Sequence, residues 1–425
     1  MIEDHPQRYP LVNELHARPF PELSVPCHAV YLAVKEPADA ANRDRALDRA
    51  HLLGLLDRHA TMHPAPDATH FSDRIGKADL KWESHTEFVT YSAFSAGISQ
   101  RAFDPAEAEV FPEDWLNQAP GKRLVSVLIR VEPMPDTEAD LRDKLENWFV
   151  PESLAASHVA DGAAVIAGDF RLDPAGHMRF AVFVRPGTSP RLVGQIVQRL
   201  NEIETYRAVS MLGLMRSRQL TARLNGLDPK LSALVSGLDS AQPSPEAALH
   251  ELLTISAELE SLAVQLSFRF GATGAYEAIV NQRIEVLREM RIAGRQTFGE
   301  FMMRRYDPAM RTVKSAEVRL RSMAERAQRA AELLRTRVDV ERSAENQKLL
   351  GSMDRRADLQ LRLQRTVEGL STVAITYYGV NLASYAAYPL TEPWGISKGL
   401  SLALLTPLVL VAVWLMVRHI RNRLD

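Results

Sequence analysis

A length of 425 residues is too great for one small core, so two or three domains are expected. The 51 basic and 53 acidic side chains leave a formal net charge of -2, which argues against a generally basic nucleic-acid binder. Hydrophobic residues at 46% and charged residues at 24% exclude wholesale disorder, and one cysteine, Cys27, excludes an intramolecular disulfide framework and fits a reducing compartment.

Met1 to Phe20 is rich in His, Arg, Glu and Pro and lacks the apolar run of a signal peptide. Residues 1–240 read as a cytosolic α/β domain. Strand patterns cover Cys27 to Val34, Leu80 to Phe88, Leu124 to Val131, Ala163 to Leu172 and Met178 to Val184. Asp173-Pro174-Ala175-Gly176 is a turn sequence, so the last two strands are expected to form a hairpin. Helical patterns cover Ala38 to Met62, Ala139 to Trp148 and Pro190 to Arg223. Asn225 to Pro245 reads as a boundary, with Ser244 as an N-cap and Pro245 opening the next helix.

Residues 241–366 are expected to form an all-α stalk. Glu246 to Phe270 and Tyr276 to Tyr306 read as helices separated by a break at Gly271-Ala272-Thr273-Gly274. No proline falls between Ala309 and Tyr388, which predicts a very long helix. Within it Leu320, Met323, Ala327, Ala330 and Leu334 keep a spacing suited to a coiled coil. So long a stalk with an incomplete seam needs partners for burial, so a homo-oligomer is expected. Arg304 to Arg365 carries 16 basic and 9 acidic residues. That balance suits contact with anionic lipid headgroups or a solvated helix face.

Residues 367–425 read as a two-helix transmembrane hairpin with spans at about 369–390 and 399–417. A buried soluble helix is the competing reading of the first span. Arg355, Arg356, Arg362 and Arg365 precede the first span, and Arg418, Arg421 and Arg423 follow the second. The positive-inside rule then puts both termini in the cytoplasm and the short connection outside.

On the first span Ser371, Tyr378, Asn381, Tyr385 and Tyr388 form a polar stripe beside a small-residue stripe of Gly379, Ala383 and Ala387. In a symmetric oligomer the polar stripe would line a pore, Asn381 would offer carbonyl oxygens to a hydrated cation, and Glu392 would ring the outer mouth. Alternatively, the polar stripe packs on the second span, with Tyr385 and Tyr388 in the interfacial belt.

In the domain, alternation on the strand Leu80 to Phe88 puts Glu83, His85 and Glu87 on one face and Trp82, Ser84, Thr86 and Phe88 on the other. Two carboxylates and an imidazole suit a divalent cation such as Mg, or acid and base work. A polar solvent face over buried Trp82 and Phe88 explains the same pattern. His59 and His63, four apart at a helix end, have ligand spacing without a completing zinc motif. No Gly-rich phosphate loop, Gly-x-Ser-x-Gly, His-Glu-x-x-His or paired Cys-x-x-Cys is present, so an enzyme is the least supported class.

Several segments carry a family resemblance. They are His5-Pro6-Gln7-Arg8, Asn13-Glu14-Leu15-His16-Ala17-Arg18-Pro19-Phe20, Trp82-Glu83-Ser84-His85-Thr86-Glu87-Phe88 and Glu202-Ile203-Glu204-Thr205-Tyr206-Arg207. Arg269-Phe270-Gly271-Ala272-Thr273, Leu334-Arg335-Thr336-Arg337-Val338 and Gln364 to Ser371 join them. Together they resemble a bacterial membrane-anchored family, domain of unknown function 3422, over nearly the whole chain. The resemblance marks His5, Arg8, Asn13, Glu14, His16, Arg18, Trp82, Glu204, Tyr206 and Arg207 as motif residues. It implies anchoring in a bacterial inner membrane and carries no biochemical activity. His16, Glu14 and Arg18 read as part of an ordered arm docking on the domain.

The order of parts also resembles the CorA magnesium-channel superfamily. Tyr378-Gly379-Val380-Asn381 is similar to its Tyr-Gly-Met-Asn signature, but Val380 replaces Met and the motif falls mid-span. The best reading is therefore a CorA-like oligomeric cation channel with a cytosolic regulatory domain. The alternative is a non-transporting scaffold or signalling protein that presents its N-terminal domain to a protein partner. A metal-dependent enzyme built on Glu83, His85 and Glu87 is a third reading.

Overall fold

The computed structural model describes the chain apart from Met1, Pro10, residues 13–19, Asp39, residues 238–243, residues 392–396 and Asp425. It divides into two compact units, residues 1–239 with 250–330, and residues 240–249 with 331–425.

The first unit is built on a nine-stranded mixed sheet of order β2-β3-β4-β1-β5-β8-β7-β6-β9. The strands are β1 Cys27–Lys35, β2 His70–Ile75, β3 Ala78–Ser84, β4 Phe88–Ala96, β5 Lys122–Pro133, β6 Ala155–Val159, β7 Ala164–Leu172, β8 Met178–Val184 and β9 Met290–Arg291. Every pairing is antiparallel except β5 with β8. Helices α1 Arg45–Arg58, α2 Glu113–Leu116 and α3 Glu138–Trp148 bury Leu52, Leu55, Leu56, Trp115, Leu141 and Leu145 with alternate sheet residues such as Val30, Leu80, Trp82 and Tyr91. The opposite face meets α4 Pro190–Ser236, which contacts β1, β5 and β8. The expected hairpin is β7–β8. Asp173 Oδ1 accepts the His177 N–H at 2.8 Å and Gly176 supplies φ +84°, which a side chain would strain.

The predicted strand over 80–88 is instead two strands and a turn. Arg43 braces that turn. Its guanidinium donates to the carbonyl oxygens of His85 (2.7 Å), Thr86 (2.5 Å) and Phe88 (3.2 Å), and its Nε donates to Asp48 (2.7 Å). The Phe88 carbonyl also takes the His85 N–H at 2.9 Å, which closes the turn.

The helical part also departs from expectation. α4 continues past Arg223 to Ser236 with Pro229 inside it. Ser244 caps α5, whose run Pro245–Leu287 passes unbroken through Gly271 and Gly274. The interruption falls later, at 288–297, where Gly294 has φ +76°. Then come α6 Phe298–Arg305, opened by a Thr297/Glu300 capping box, and α7 Asp307–Thr391.

Within the first unit, α4, α5 and the start of α7 pack together, whereas the composition boundaries put α5 and α7 in a separate stalk. Ion pairs cross each interface: Arg223 with Glu258, Lys314 with Glu277, and Arg319 and Arg326 with Asp228. Leu320, Met323, Ala327 and Ala330 are buried there, and Leu334 is buried in the second unit.

In the second unit α7 ends at Thr391 and α8 spans Lys398–Leu424. Among the described residues one helical segment, Lys398–His419, is long and apolar enough to cross a membrane, and only 6% of it is buried. The end of α7 falls short of that test because Ser371, Thr372, Thr376, its tyrosines and Asn381 dilute its apolar residues. The two helices meet at Gly379, where an added Cβ would stand 3.0 Å from Val409.

Candidate functional site

A buried polar cluster of the sheet unit lies between β3–β4 and helices α4 and α5. Glu87, in the β3–β4 turn, is fully buried. Its carboxylate receives Lys35 Nζ at 3.2 Å, the Arg269 guanidinium of α5, and the Tyr276 hydroxyl at 3.2 Å. Burial alone would raise the Glu87 pKa, but Arg269 and Lys35 outweigh it and hold the carboxyl below the ordinary range. Burial also pulls Lys35 down, with Glu87 opposing. One carboxylate thus serves two cations, and Arg269 Nη1 remains buried without a partner.

One turn of α4, Glu204 to Arg207, ties this cluster to its surroundings. Tyr206 stacks on Tyr276 at 5.4 Å. Thr205 Oγ1 lies 2.7 Å from the Tyr31 hydroxyl of β1 and 2.8 Å from the Asn201 carbonyl. Glu204 receives a two-pronged bond from Arg207 at 2.7 and 2.9 Å. A little further along, Thr273 presses on Gly213, where an added Cβ would stand 2.3 Å from its hydroxyl. Three of the resemblance-bearing segments therefore converge: 82–88, 202–207 and 269–273.

Beside the cluster lies a cavity of about 260 Å³, lined in part by Lys81, Glu83, Asn201, Glu202, Tyr206 and Arg283. Lys81 Nζ stands 3.3 Å from Glu83 and donates to Gln198 at 3.0 Å. The Gln198 amide donates to Glu202 at 2.8 Å, and Glu202 also takes Arg283. Asn201 is 3% exposed, and its Oδ1 has no hydrogen-bond partner. Phe20 also lines this cavity. The segment after it is held on α4, where Leu23 N–H donates to the Pro190 carbonyl at 3.0 Å. Gly194 leaves room for the Pro21 carbonyl, which an added Cβ would meet at 1.7 Å.

A mixed sheet with helices on both faces, a buried charged cluster, a small polar cleft and one exposed apolar helix together define an α/β protein compatible with a membrane. The chain belongs to the family described as protein of unknown function (DUF3422), whose model matches residues 3–424. A search of the curated proteins found no match.

The metal trio is dispersed. Among the described residues no group of three His, Cys, Asp or Glu side chains converges to hold a metal. Glu83 faces the cavity, His85 stacks on Phe88 at 4.5 Å, and Glu87 is taken by its cations. The turn at 85–87 ends the alternation, so Phe88 packs toward Tyr206 and Tyr276 while Trp82 enters the opposite core. His59 caps α1 and His63 lies beyond it, bonded to Asp57 at 2.7 Å, so they share no helix face.

Of the arm residues, His5 and Arg8 are exposed, with Arg8 paired to Asp4; Asn13, Glu14, His16 and Arg18 lie outside the described residues. Ser371, Tyr378 and Tyr385 are exposed, Asn381 is half-buried, and Glu392 lies outside the described residues. The face of α7 nearest α8 carries Gly379 and Val380, not the exposed Tyr378 and Tyr385.

Sequence reasoning did not find Lys35, Arg43, Asn201, Tyr276 or Arg283. Asn201 had a signal: it falls on the apolar stripe of Val193, Val197, Leu200 and Leu214, where a polar residue is out of place.

Proposed function

We propose that this protein is an inner-membrane-anchored scaffold or signalling protein whose α/β unit engages a partner in the cytosol. The observation that carries this reading is the exposed apolar segment Lys398–His419. A patch that size is covered in nature by lipid or by another protein. In this reading the end of α7, about 369–390, pairs with 399–417 as a hairpin and both chain termini face the cytoplasm. The contact of Gly379 with Val409 and the arginines flanking the segment support it. The test is alkaline extraction of membranes expressing the full chain, followed by a partner pull-down with a fragment ending before Thr366. The full chain should stay in the pellet and the fragment should be soluble and keep its partner. Extraction of the full chain, or loss of all partners by the folded fragment, would count against the scaffold.

A second reading is a CorA-like homo-oligomeric cation channel. Exposure of Ser371, Tyr378 and Tyr385 away from the Gly379 contact favours it, since a polar stripe facing lipid is costly and neighbouring copies would cover it. Native mass spectrometry in mild detergent separates the two. A closed ring, above all a pentamer, favours a pore, and Asn381→Ala should then abolish cation flux in proteoliposomes. A monomer or dimer favours the scaffold.

A further inference from the structure

We propose that the groove between α5 and α7 in the first unit is the docking site for an amphipathic partner helix whose apolar stripe is flanked by lysine or arginine. This names the partner class of the scaffold reading above and rests on that reading. The groove is an open cavity of about 680 Å³. Its floor holds the buried Leu320 and Phe270, and the short side chains of Ala257, Ala263 and Ala324 keep its walls low. Leu253, Val264 and Phe268 stand exposed on the same stretch of α5. From Leu253 to Phe270 the α5 wall runs about 26 Å, close to five helical turns. An apolar groove of that length between two packed helices has the shape that a further helix fills.

Charge selects among the occupants. The groove is lined by three carboxylates, Glu260, Glu317 and Glu325, against one guanidinium, Arg321. Arg321 stands 3.3 Å from Glu317, and Arg329 stands 3.7 Å from Glu325. Both are solvent-exposed pairs one turn apart on α7, weak in water and open to exchange of partners. Among the described residues no cation pairs with Glu260. Between Glu251 and Phe268, α5 carries Glu251, Glu258 and Glu260 and no lysine or arginine. A second copy laid groove to groove would bring these carboxylates together, and an anionic bilayer surface would meet the same repulsion. A helix with basic flanks answers both features, with apolar side chains for the floor and cations for the rim.

The experiment is fluorescence anisotropy on the full chain in non-ionic detergent micelles, with empty micelles as the blank. The probes are two labelled helical peptides of about five turns with the same leucine stripe, one flanked by lysine and one by glutamate. The lysine peptide should saturate one site per chain, and the glutamate peptide should bind at least about tenfold more weakly. Glu260→Lys should weaken the lysine peptide and strengthen the glutamate one, a crossover that misfolding does not produce. Ala257→Trp, which fills the groove, should weaken the lysine peptide. If Ala257→Trp fails to fold, the peptide pair and Glu260→Lys still decide the matter. No binding above the blank, no preference for lysine, or undiminished binding by a folded Ala257→Trp would overturn the proposal. So would a wild-type dimer in native mass spectrometry that Ala257→Trp dissociates, because the occupant would then be a second copy. A partner that a folded Ala257→Trp chain keeps in the pull-down sinks the groove and leaves the scaffold. Release of the full chain by alkaline extraction sinks the anchor and leaves the groove.

Discussion

The guanidinium of Arg269, on α5, bonds the carboxylate of Glu87, in the β3–β4 turn, across 182 residues of sequence. That bond joins the sheet to the helices that follow it and fixes the wall beside the cavity. Removing the Glu87 charge leaves Lys35 and Arg269 facing each other with no anion. Glu87→Gln should therefore cost about 3 kcal/mol in urea unfolding near neutral pH, as for other broken buried pairs. The sign with pH follows from the depressed carboxyl. Its contribution is present above the ordinary carboxylate range and is lost as pH falls through the folded pKa. The gap between wild type and Glu87→Gln should narrow in acid.

His51 tests the core on the other face of the sheet. Its ring stacks on Trp115 at 4.0 Å, with Nε2 2.9 Å from the Trp115 carbonyl and Nδ1 3.0 Å from the Tyr91 hydroxyl. A carbonyl can only accept, so Nε2 carries the proton and Nδ1 accepts from Tyr91. Burial lowers the His51 pKa, and likewise those of His158 and His177. The unfolded chain then binds more protons, so stability should fall as pH drops below the ordinary histidine value of about 6.5. His51→Phe should flatten that slope, read from urea melts across the range.

Gly194 is the seat of the Pro21 carbonyl, and an alanine there has no room. Gly194→Ala should cost about 1–3 kcal/mol, as overpacking does. The loss should be local first. Hydrogen exchange at the Leu23 amide, bonded to Pro190, should quicken more than exchange in β1.

Cys27 is 3% exposed, and burial pushes its thiol up to about 12. Thiolate is the reactive form, so the folded chain should resist a maleimide that modifies the urea-unfolded chain within minutes. Rapid labelling of the folded protein would contradict the packing of β1.

The sheet centre was legible because β1, β5 and β8 are apolar runs and Asp173 to Gly176 is a strong turn. The outer strands were not. β2, His-Phe-Ser-Asp-Arg-Ile, is a polar edge, and β6 is short with small residues. Gly271 and Gly274 read as a helix break, but α5 packs along its length and Thr273 seats on Gly213, so tertiary packing overrides their weak propensity. The true interruption had a signal at Gly294 and in the Thr297/Glu300 capping box. At the site, the residues of 82–88 and 204–207 were legible as a group. The pairing of Arg269 with Glu87 was not, nor were Lys35 and Arg283, because these reach the group from distant elements and no local pattern records a long-range ion pair.

The proposed anchor would put both ends of the chain in the cytoplasm, with the C-terminal helices in the membrane. The most direct test is cysteine accessibility in a Cys27→Ala background, comparing Glu392→Cys with Asp425→Cys in intact spheroplasts. An impermeant maleimide should label position 392 at once and position 425 only after permeabilisation. Labelling at 425 in intact cells, or protection at 392 that permeabilisation removes, would contradict the two-span anchor.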